Sequence, residues 1–211
     1  MIVDDHPLVR KGLAALIAES PDFEVCGDAG ARAEALELAL QLRPDHLIVD
    51  LTLGNDDGMD LIKDLSAQLP SATVLVISMH DEVLYAERAL RAGALGYLMK
   101  DQSGDLALAA LKKISDGEMY LSESMSNRLL KRSLRPGENS ETGDVTSNFS
   151  DREMQVFSRL GDGHAASRIA KDLNLSIKTV EYYRDRLKAK LDMATSAELV
   201  QFAIRWKQRM T

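Results

Sequence analysis

Along the first half of the chain, two hydrophobic patterns alternate. Short runs at Met1-Ile2-Val3, Phe23-Glu24-Val25-Cys26, His46-Leu47-Ile48-Val49, Thr73-Val74-Leu75-Val76-Ile77 and Gly96-Tyr97-Leu98-Met99 read as strands. Between them, apolar residues recur at helical spacing from Leu8 to Ile17, Ala33 to Leu42, Met59 to Leu69, Val83 to Leu90 and Leu106 to Ile114. Strand followed by helix, repeated in this way, predicts an α/β fold: a doubly wound, five-stranded parallel sheet with helices on both faces. Ligands of such open sheets bind outside the carboxyl ends of the strands, where strand order reverses. For the flavodoxin-like order 2-1-3-4-5, that point lies between the first and third strands.

The pattern then changes. From Glu123 to Arg132, Met125, Leu129 and Leu130 mark one short helix, and Ser133 to Asn148 is rich in Gly, Ser, Asn and Pro, as a flexible linker would be. Four further helices are predicted at Ser150 to Leu160, Ala165 to Leu173, Ile177 to Leu191 and Ser196 to Lys207, forming a small all-α domain. Ser150 followed by Glu153 is a capping box that marks the first of them. The expected organisation is a sheet domain over 1–118, a connecting helix and linker over 119–148, and a helical domain over 149–211.

Charge separates the same two parts. Residues 1–148 carry 14 Lys+Arg against 25 Asp+Glu, and 149–211 carry 12 against 8; the balances of −11 and +4 sum to the −7 of the 211-residue chain. An acidic front and a basic tail call for different partners. The single cysteine, Cys26, excludes an internal disulfide framework and, lying in a strand pattern, is expected to be a buried thiol. No apolar run reaches the roughly 20 residues that span a bilayer, so a cytoplasmic protein with no membrane partner is expected. The first strand begins only three residues before Asp4, which leaves room for a longer native N-terminus.

Five polar residues fall at strand ends: Asp4 and Asp5 after the first, Asp50 after the third, Ser78 after the fourth and Lys100 after the fifth. Any one alone would pass for a solvated loop residue, but five registered strands gather them into one site. Three carboxylates brought together repel each other unless a cation joins them, and hard oxygen donors with a few waters suit Mg²⁺. A metal alone does not call for Lys100 and Ser78. A phosphoryl group does, with Asp50 as the nucleophile that accepts it. His6 and His80 have no partners at zinc-ligand spacing, and Asp56 and Asp57 read as spare loop charge.

This set, with Asp4-Asp5-His6-Pro7-Leu8-Val9-Arg10 and Ala92-Gly93-Ala94-Leu95-Gly96-Tyr97-Leu98-Met99-Lys100-Asp101, resembles the receiver domain of two-component response regulators. The resemblance implies that Asp50 is the phosphoacceptor, charged by a partner histidine kinase. It implies that Asp4, Asp5, Asp50 and the backbone carbonyl of Thr52 hold Mg²⁺, one of the paired aspartates through water. Lys100 would pair with the phosphoryl group, Ser78 would move to bond it, and Tyr97 would change rotamer as Ser78 moves. Gly54 stands where that family usually carries proline, and the substitution is expected to relax the loop after Asp50. Thr52 and His80 occupy positions that tune phosphate lifetime in the family.

In the tail, Asn174-Leu175-Ser176 makes the tight connection of a helix-turn-helix, whose second helix enters the major groove of double-stranded DNA. That helix holds Lys178, Arg184, Arg186, Lys188 and Lys190 against Glu181 and Asp185. Lys178, Thr179, Glu181, Tyr182 and Asp185 are placed to face the groove, and Arg184 and Lys188 to meet phosphate. Phe149-Ser150-Asp151-Arg152-Glu153, Gly163, Ile169-Ala170, Leu173 to Glu181 and Lys190-Leu191 resemble the LuxR/NarL-type DNA-binding domain. Gly163 to Arg168 departs from its usual polar run.

Together the two resemblances imply a transcription regulator, not an enzyme beyond self-phosphorylation from a phosphodonor and slow autodephosphorylation. It would act as a homodimer when phosphorylated, with RNA polymerase a possible partner. Leu199, Phe202, Ala203 and Trp206 offer a dimer contact, although Leu199 and Phe202 read equally well as core. Two rivals stand beside this: a regulator of the same fold that binds DNA without phosphorylation, and an aspartate-nucleophile phosphatase. The second is disfavoured because Thr52 stands where those enzymes usually want a second carboxylate.

Overall fold

The structure is a computed structural model that describes residues 1–54, 56–134, 146 and 148–210, and it divides into two compact units, Met1–Leu130 and Lys131–Thr211. The first contains β1 (Ile2–Val3), α1 (Pro7–Ala18), β2 (Asp28–Ala29), α2 (Arg32–Leu42), β3 (His46–Val49), β4 (Thr52–Leu53), β5 (Asp56–Asp57), α3 (Gly58–Gln68), β6 (Thr73–Ser78), α4 (Glu82–Ala92), β7 (Gly96–Met99), a 3₁₀ turn at Lys100–Gln102, and α5 (Ser103–Ser115). The main sheet is parallel, in the order β2-β1-β3-β6-β7, which is the predicted 2-1-3-4-5 once the small β4–β5 hairpin is set aside.

Both faces of that sheet are covered, which explains the unbroken apolar runs. Ile2, Ile48, Leu75, Ile77 and Leu98 pack with Leu13 and Ile17 of α1 and Ala107, Ala110, Leu111 and Ile114 of α5. The alternate residues Val3, Leu47, Val49, Val74 and Val76 are equally buried, as are Ala35, Ala39, Leu61, Ile62, Leu65, Ala86 and Ala89 of α2 to α4.

Three expectations fail in this unit. Phe23–Cys26 is not a strand, because the register pairs Ile2 with Asp28 and Val3 with Ala29, and the ladder begins after Cys26. Cys26 is accordingly exposed rather than buried. Asp56 and Asp57 are not spare charge either: they form β5, and the Asp57 side chain caps α3 by accepting the Met59 N–H at 3.0 Å.

Next come α6 (Glu123–Leu134) and, in the second unit, α7 (Asp151–Gly161), α8 (Ala166–Asp172), α9 (Ile177–Lys190) and α10 (Ser196–Met210). The greater part of the expected linker, residues 135–145 and 147, lies outside the described residues. The capping box forms as predicted: Ser150 Oγ accepts the Glu153 N–H at 3.3 Å, and Glu153 Oε2 accepts the Ser150 N–H at 2.7 Å. Phe157, fully buried, meets Phe149, Phe202 and Trp206 at ring separations of 5.1, 6.1 and 5.2 Å. Leu199, Ala203 and Trp206 are therefore core of the helical unit rather than the expected dimer contact, and Phe202 alone of that stripe is partly exposed. No helix of the described residues is long and apolar enough to cross a membrane.

Candidate phosphoryl and nucleic-acid sites

The sheet gathers the strand-end residues. Asp4 follows β1, Asp50 follows β3, Ser78 closes β6 and Lys100 follows β7, so four parallel carboxyl ends meet at one edge. Asp4, Asp50 and Ser78 are buried, at 2, 3 and 0 % exposure, whereas Asp5 is half-buried. Lys100 Nζ lies 2.7 Å from Asp4 Oδ2 and 2.7 Å from Asp50 Oδ2, bridging the two buried carboxylates. The second oxygen of Asp50, Oδ1, is buried and has no hydrogen-bond partner.

Burial raises the Asp50 pKa above its ordinary 3.8; Lys100 and, to a smaller extent, Ser78 pull it down, and Asp4 pushes it further up. For Lys100, burial acts against the charge, but Asp50 and Asp4 outweigh it and raise the ammonium pKa. One ammonium does not balance three carboxylates. Ligand atoms of Asp4, Asp5, His6 and Asp50 all lie within 4.8 Å of one another, and Asp50 Oδ1 is a buried acceptor without a donor. Hard oxygen donors with surplus negative charge fit a small divalent cation. His6 joins the group through its Nδ1, 2.6 Å from Asp5 Oδ1, a proximity that its lack of zinc-spaced partners did not reveal.

The loop after Asp50 contributes a group that has no sequence signature. Gly54 takes φ 60° at the tip of the β4–β5 hairpin and donates its backbone N–H to Asp5 Oδ2 at 2.9 Å. The relaxed backbone expected at Gly54 thus has a definite form, which proline could not adopt. Across the site, Thr52 Oγ1 lies 3.1 Å from His80 Nε2, and the His80 ring stacks on Tyr85 at 4.6 Å. The Tyr97 hydroxyl donates to the His80 carbonyl at 2.8 Å, and burial holds its pKa well above 10.0. Ser78 Oγ accepts the His80 N–H at 3.4 Å. Ser78 and Tyr97 therefore converge on one loop residue, His80, rather than on each other alone.

In the helical unit, α8 and α9 meet through Asn174, at φ 52°, and Ser176, whose hydroxyl accepts the Thr179 N–H at 3.0 Å and caps α9. Val180 and Leu187 are buried, so residues 178, 181, 182 and 185 lie on the outward face. Lys178, Tyr182 and Asp185 are exposed, and Thr179 and Glu181 partly so. The basic residues divide. Arg186 Nε and Lys190 Nζ turn back to Glu153, at 3.1 and 2.5 Å, so these two charges brace α9 on α7. Arg184 holds Glu181 at 2.6 Å and Lys188 holds Asp185 at 2.9 Å. Ile177, 55 % exposed at the first turn, is an apolar outward residue that a search for basic side chains passes over.

The family described as response regulator receiver domain matches residues 1–112, and the luxR family of bacterial regulatory proteins matches residues 147–203. A nitrate/nitrite response regulator protein homolog of Haemophilus influenzae is 34% identical over 193 residues, covering 92% of this chain and 89% of its own. A LuxR-family two-component response regulator of known structure from Aurantimonas sp. SI85-9A1 is 30% identical, with a TM-score of 0.59 over 64% of this chain and 96% of its own. A solved structure of two RcsB dimers bound to two parallel DNAs is 25% identical, with a TM-score of 0.57 over 95% of each chain.

Proposed function

The chain belongs to the response regulators that join a receiver domain to a luxR-type DNA-binding domain, and from that premise we propose that phosphorylation of Asp50 controls its binding to DNA. The family consists of transcription regulators rather than classical enzymes. One observation carries the assignment to Asp50: this buried carboxylate keeps one oxygen on Lys100 and the other, Oδ1, unpartnered in the acidic group. Oδ1 is the atom that attacks phosphorus, forming the acyl phosphate as the bond from phosphorus to the histidine nitrogen of a partner kinase breaks. Self-phosphorylation from a small phosphodonor and slow autodephosphorylation accompany that role.

Asp5, Asp50 and the Thr52 carbonyl would hold Mg²⁺, with Asp4 acting through water. When bound, the cation neutralises charge on the transferring phosphoryl oxygens. Lys100 then exchanges its contact with Asp50 for one with a phosphoryl oxygen while remaining on Asp4. Ser78 turns its hydroxyl toward the new anion and releases the His80 N–H, and Tyr97 follows through its bond to the His80 carbonyl.

Toward DNA, Lys178, Thr179, Glu181, Tyr182 and Asp185 face the major groove. Arg184 and Lys188, the proposed phosphate contacts, also hold the Glu181 and Asp185 carboxylates. Carboxylates accept hydrogen bonds from the amino group of cytosine, so the outward face of α9 favours C·G pairs. A homodimer, as RcsB forms on DNA, would place two such helices on half-sites related by a two-fold axis.

Incubation with Mg²⁺ and acetyl phosphate tests the Asp50 assignment. One phosphoryl group per chain, lost in Asp50→Asn, is expected. Rapid multiple turnover of the donor would instead indicate a phosphatase.

A further inference from the structure

Glu82 is a buried carboxylate that the phosphoryl chemistry does not use. It is the first residue of α4, yet its Oε1 accepts the backbone N–H of Ser122, 2.8 Å away. Ser122 stands immediately before α6, and its hydroxyl accepts the Met125 N–H at 3.1 Å. The donors that open α6 are thus satisfied partly by Ser122 itself and partly by a side chain from α4. A carboxylate there also opposes the positive end of the helix dipole.

Two residues upstream, the chain lies along the outer edge of β7. The Tyr120 N–H donates to the Leu95 carbonyl at 3.2 Å, and the Tyr97 N–H donates to the Tyr120 carbonyl at 2.8 Å. Gly96 permits this approach, since a Cβ there would stand 3.1 Å from Tyr120 Cβ and 2.9 Å from Leu75 Cδ1. The start of α6 is therefore held from two sides, by the edge of β7 and by the head of α4.

Both supports lead to the same loop. Ser78 ends β6, Asp81 caps α4 by accepting the Val83 N–H at 2.9 Å, and Glu82 follows directly. On β7, Tyr97 grips the Tyr120 carbonyl with its N–H and the His80 carbonyl with its hydroxyl. A shift of residues 78–81 is thus felt at Ser122 through Glu82 and at Tyr120 through Tyr97.

We propose that Glu82 is the positioning residue that couples the loop after Ser78 to the first turn of α6, and so passes the state of Asp50 to the helix leading out of the receiver. The coupling rests on the reading of Asp50 as phosphoacceptor, whereas the anchor does not. Glu82 holds Ser122 while the loop is at rest, and displacement of the loop withdraws or reseats that acceptor.

Hydrogen exchange on the full chain tests this, using wild type, Glu82→Ala and Glu82→Gln, each with and without Mg²⁺ and acetyl phosphate. In Glu82→Ala without donor, the amides of residues 122–125 are expected to exchange about ten-fold faster, the loss of one charge-assisted bond, with β6 unchanged. Glu82→Gln keeps an acceptor oxygen and is expected to restore protection. Donor should change exchange at 122–125 in wild type and not in Glu82→Ala. Unchanged exchange in Glu82→Ala, general loosening that Gln does not rescue, or an equal donor response in both proteins would overturn the proposal. If Asp50 takes up no phosphoryl group, the phosphoacceptor reading and the coupling fail together, while the Ala and Gln arms still decide the anchor.

Discussion

Gly54 donates its backbone N–H to Asp5 Oδ2 at 2.9 Å, across 49 residues of sequence. The bond fixes one oxygen of the more exposed paired aspartate and leaves the other to the acidic group. Proline at this position would have neither the N–H nor access to φ 60°. Gly54→Pro is expected to weaken Mg²⁺ binding about ten-fold, on the scale of a bond to a charged group, by titration calorimetry. Gly54→Ala keeps the donor and should lose less. Equal affinities in all three proteins would show that Asp5 needs no such support.

The raised pKa of Asp50 gives labelling a defined pH dependence. Attack requires the carboxylate, so with limiting Mg²⁺ the acidic limb of the labelling rate should lie above the ordinary 3.8. A bound cation favours the charged form, and saturating Mg²⁺ should move that limb down. Lys100→Met removes the stronger of the two groups that pull the pKa down, leaving Ser78, and should move it up. A limb at 3.8 that ignores Mg²⁺ would contradict this account of the site.

Glu153 is the corresponding buried carboxylate of the helical unit. Burial would raise its pKa, but Lys190, the Ser150 N–H and Arg186 outweigh burial and lower it from 4.5. Its folded value is depressed, so its contribution is complete above the unfolded value near 4.5 and is lost as pH falls through the folded one. Glu153→Gln should destabilise the helical unit by about 2 kcal/mol at neutral pH and flatten the acid limb of a thermal-melt series, combining a weakened cap with a broken buried pair. Unaltered melting at neutral pH would place the anchoring of α9 elsewhere.

Glu181 and Asp185 are four residues apart, about 6 Å along α9 and close to two base steps of DNA. Selection from random duplexes should return half-sites with cytosines about two steps apart. Glu181→Gln should shift its position toward adenine, with a penalty for cytosine of about ten-fold. Identical selected sequences for wild type, Glu181→Gln and Asp185→Asn would remove both carboxylates from base reading.

The sheet and its polar strand ends were legible because four apolar runs terminate in Asp4-Asp5, Asp50, Ser78 and Lys100, and a parallel sheet brings such ends together. What depends on register was not. Phe23 and Val25 alternate as a strand would, but pairing of Ile2 with Asp28 puts the ladder further on. Backbone donors leave no trace in side-chain patterns, which hid the role of Gly54. Helical period placed Arg186 and Lys190 on α9, but only the packing of α7 shows that both fold onto Glu153. The same packing, through Phe157, takes Leu199 and Trp206 into the core.

If Asp50 governs DNA binding, the affinity of the full chain for a selected duplex should follow its phosphorylation, measured in wild type and Asp50→Asn, each with and without Mg²⁺ and acetyl phosphate. Wild type should gain about ten-fold in affinity with donor, and Asp50→Asn should gain nothing. Equal affinity in all four arms would contradict phosphorylation control and leave a regulator that binds DNA without it.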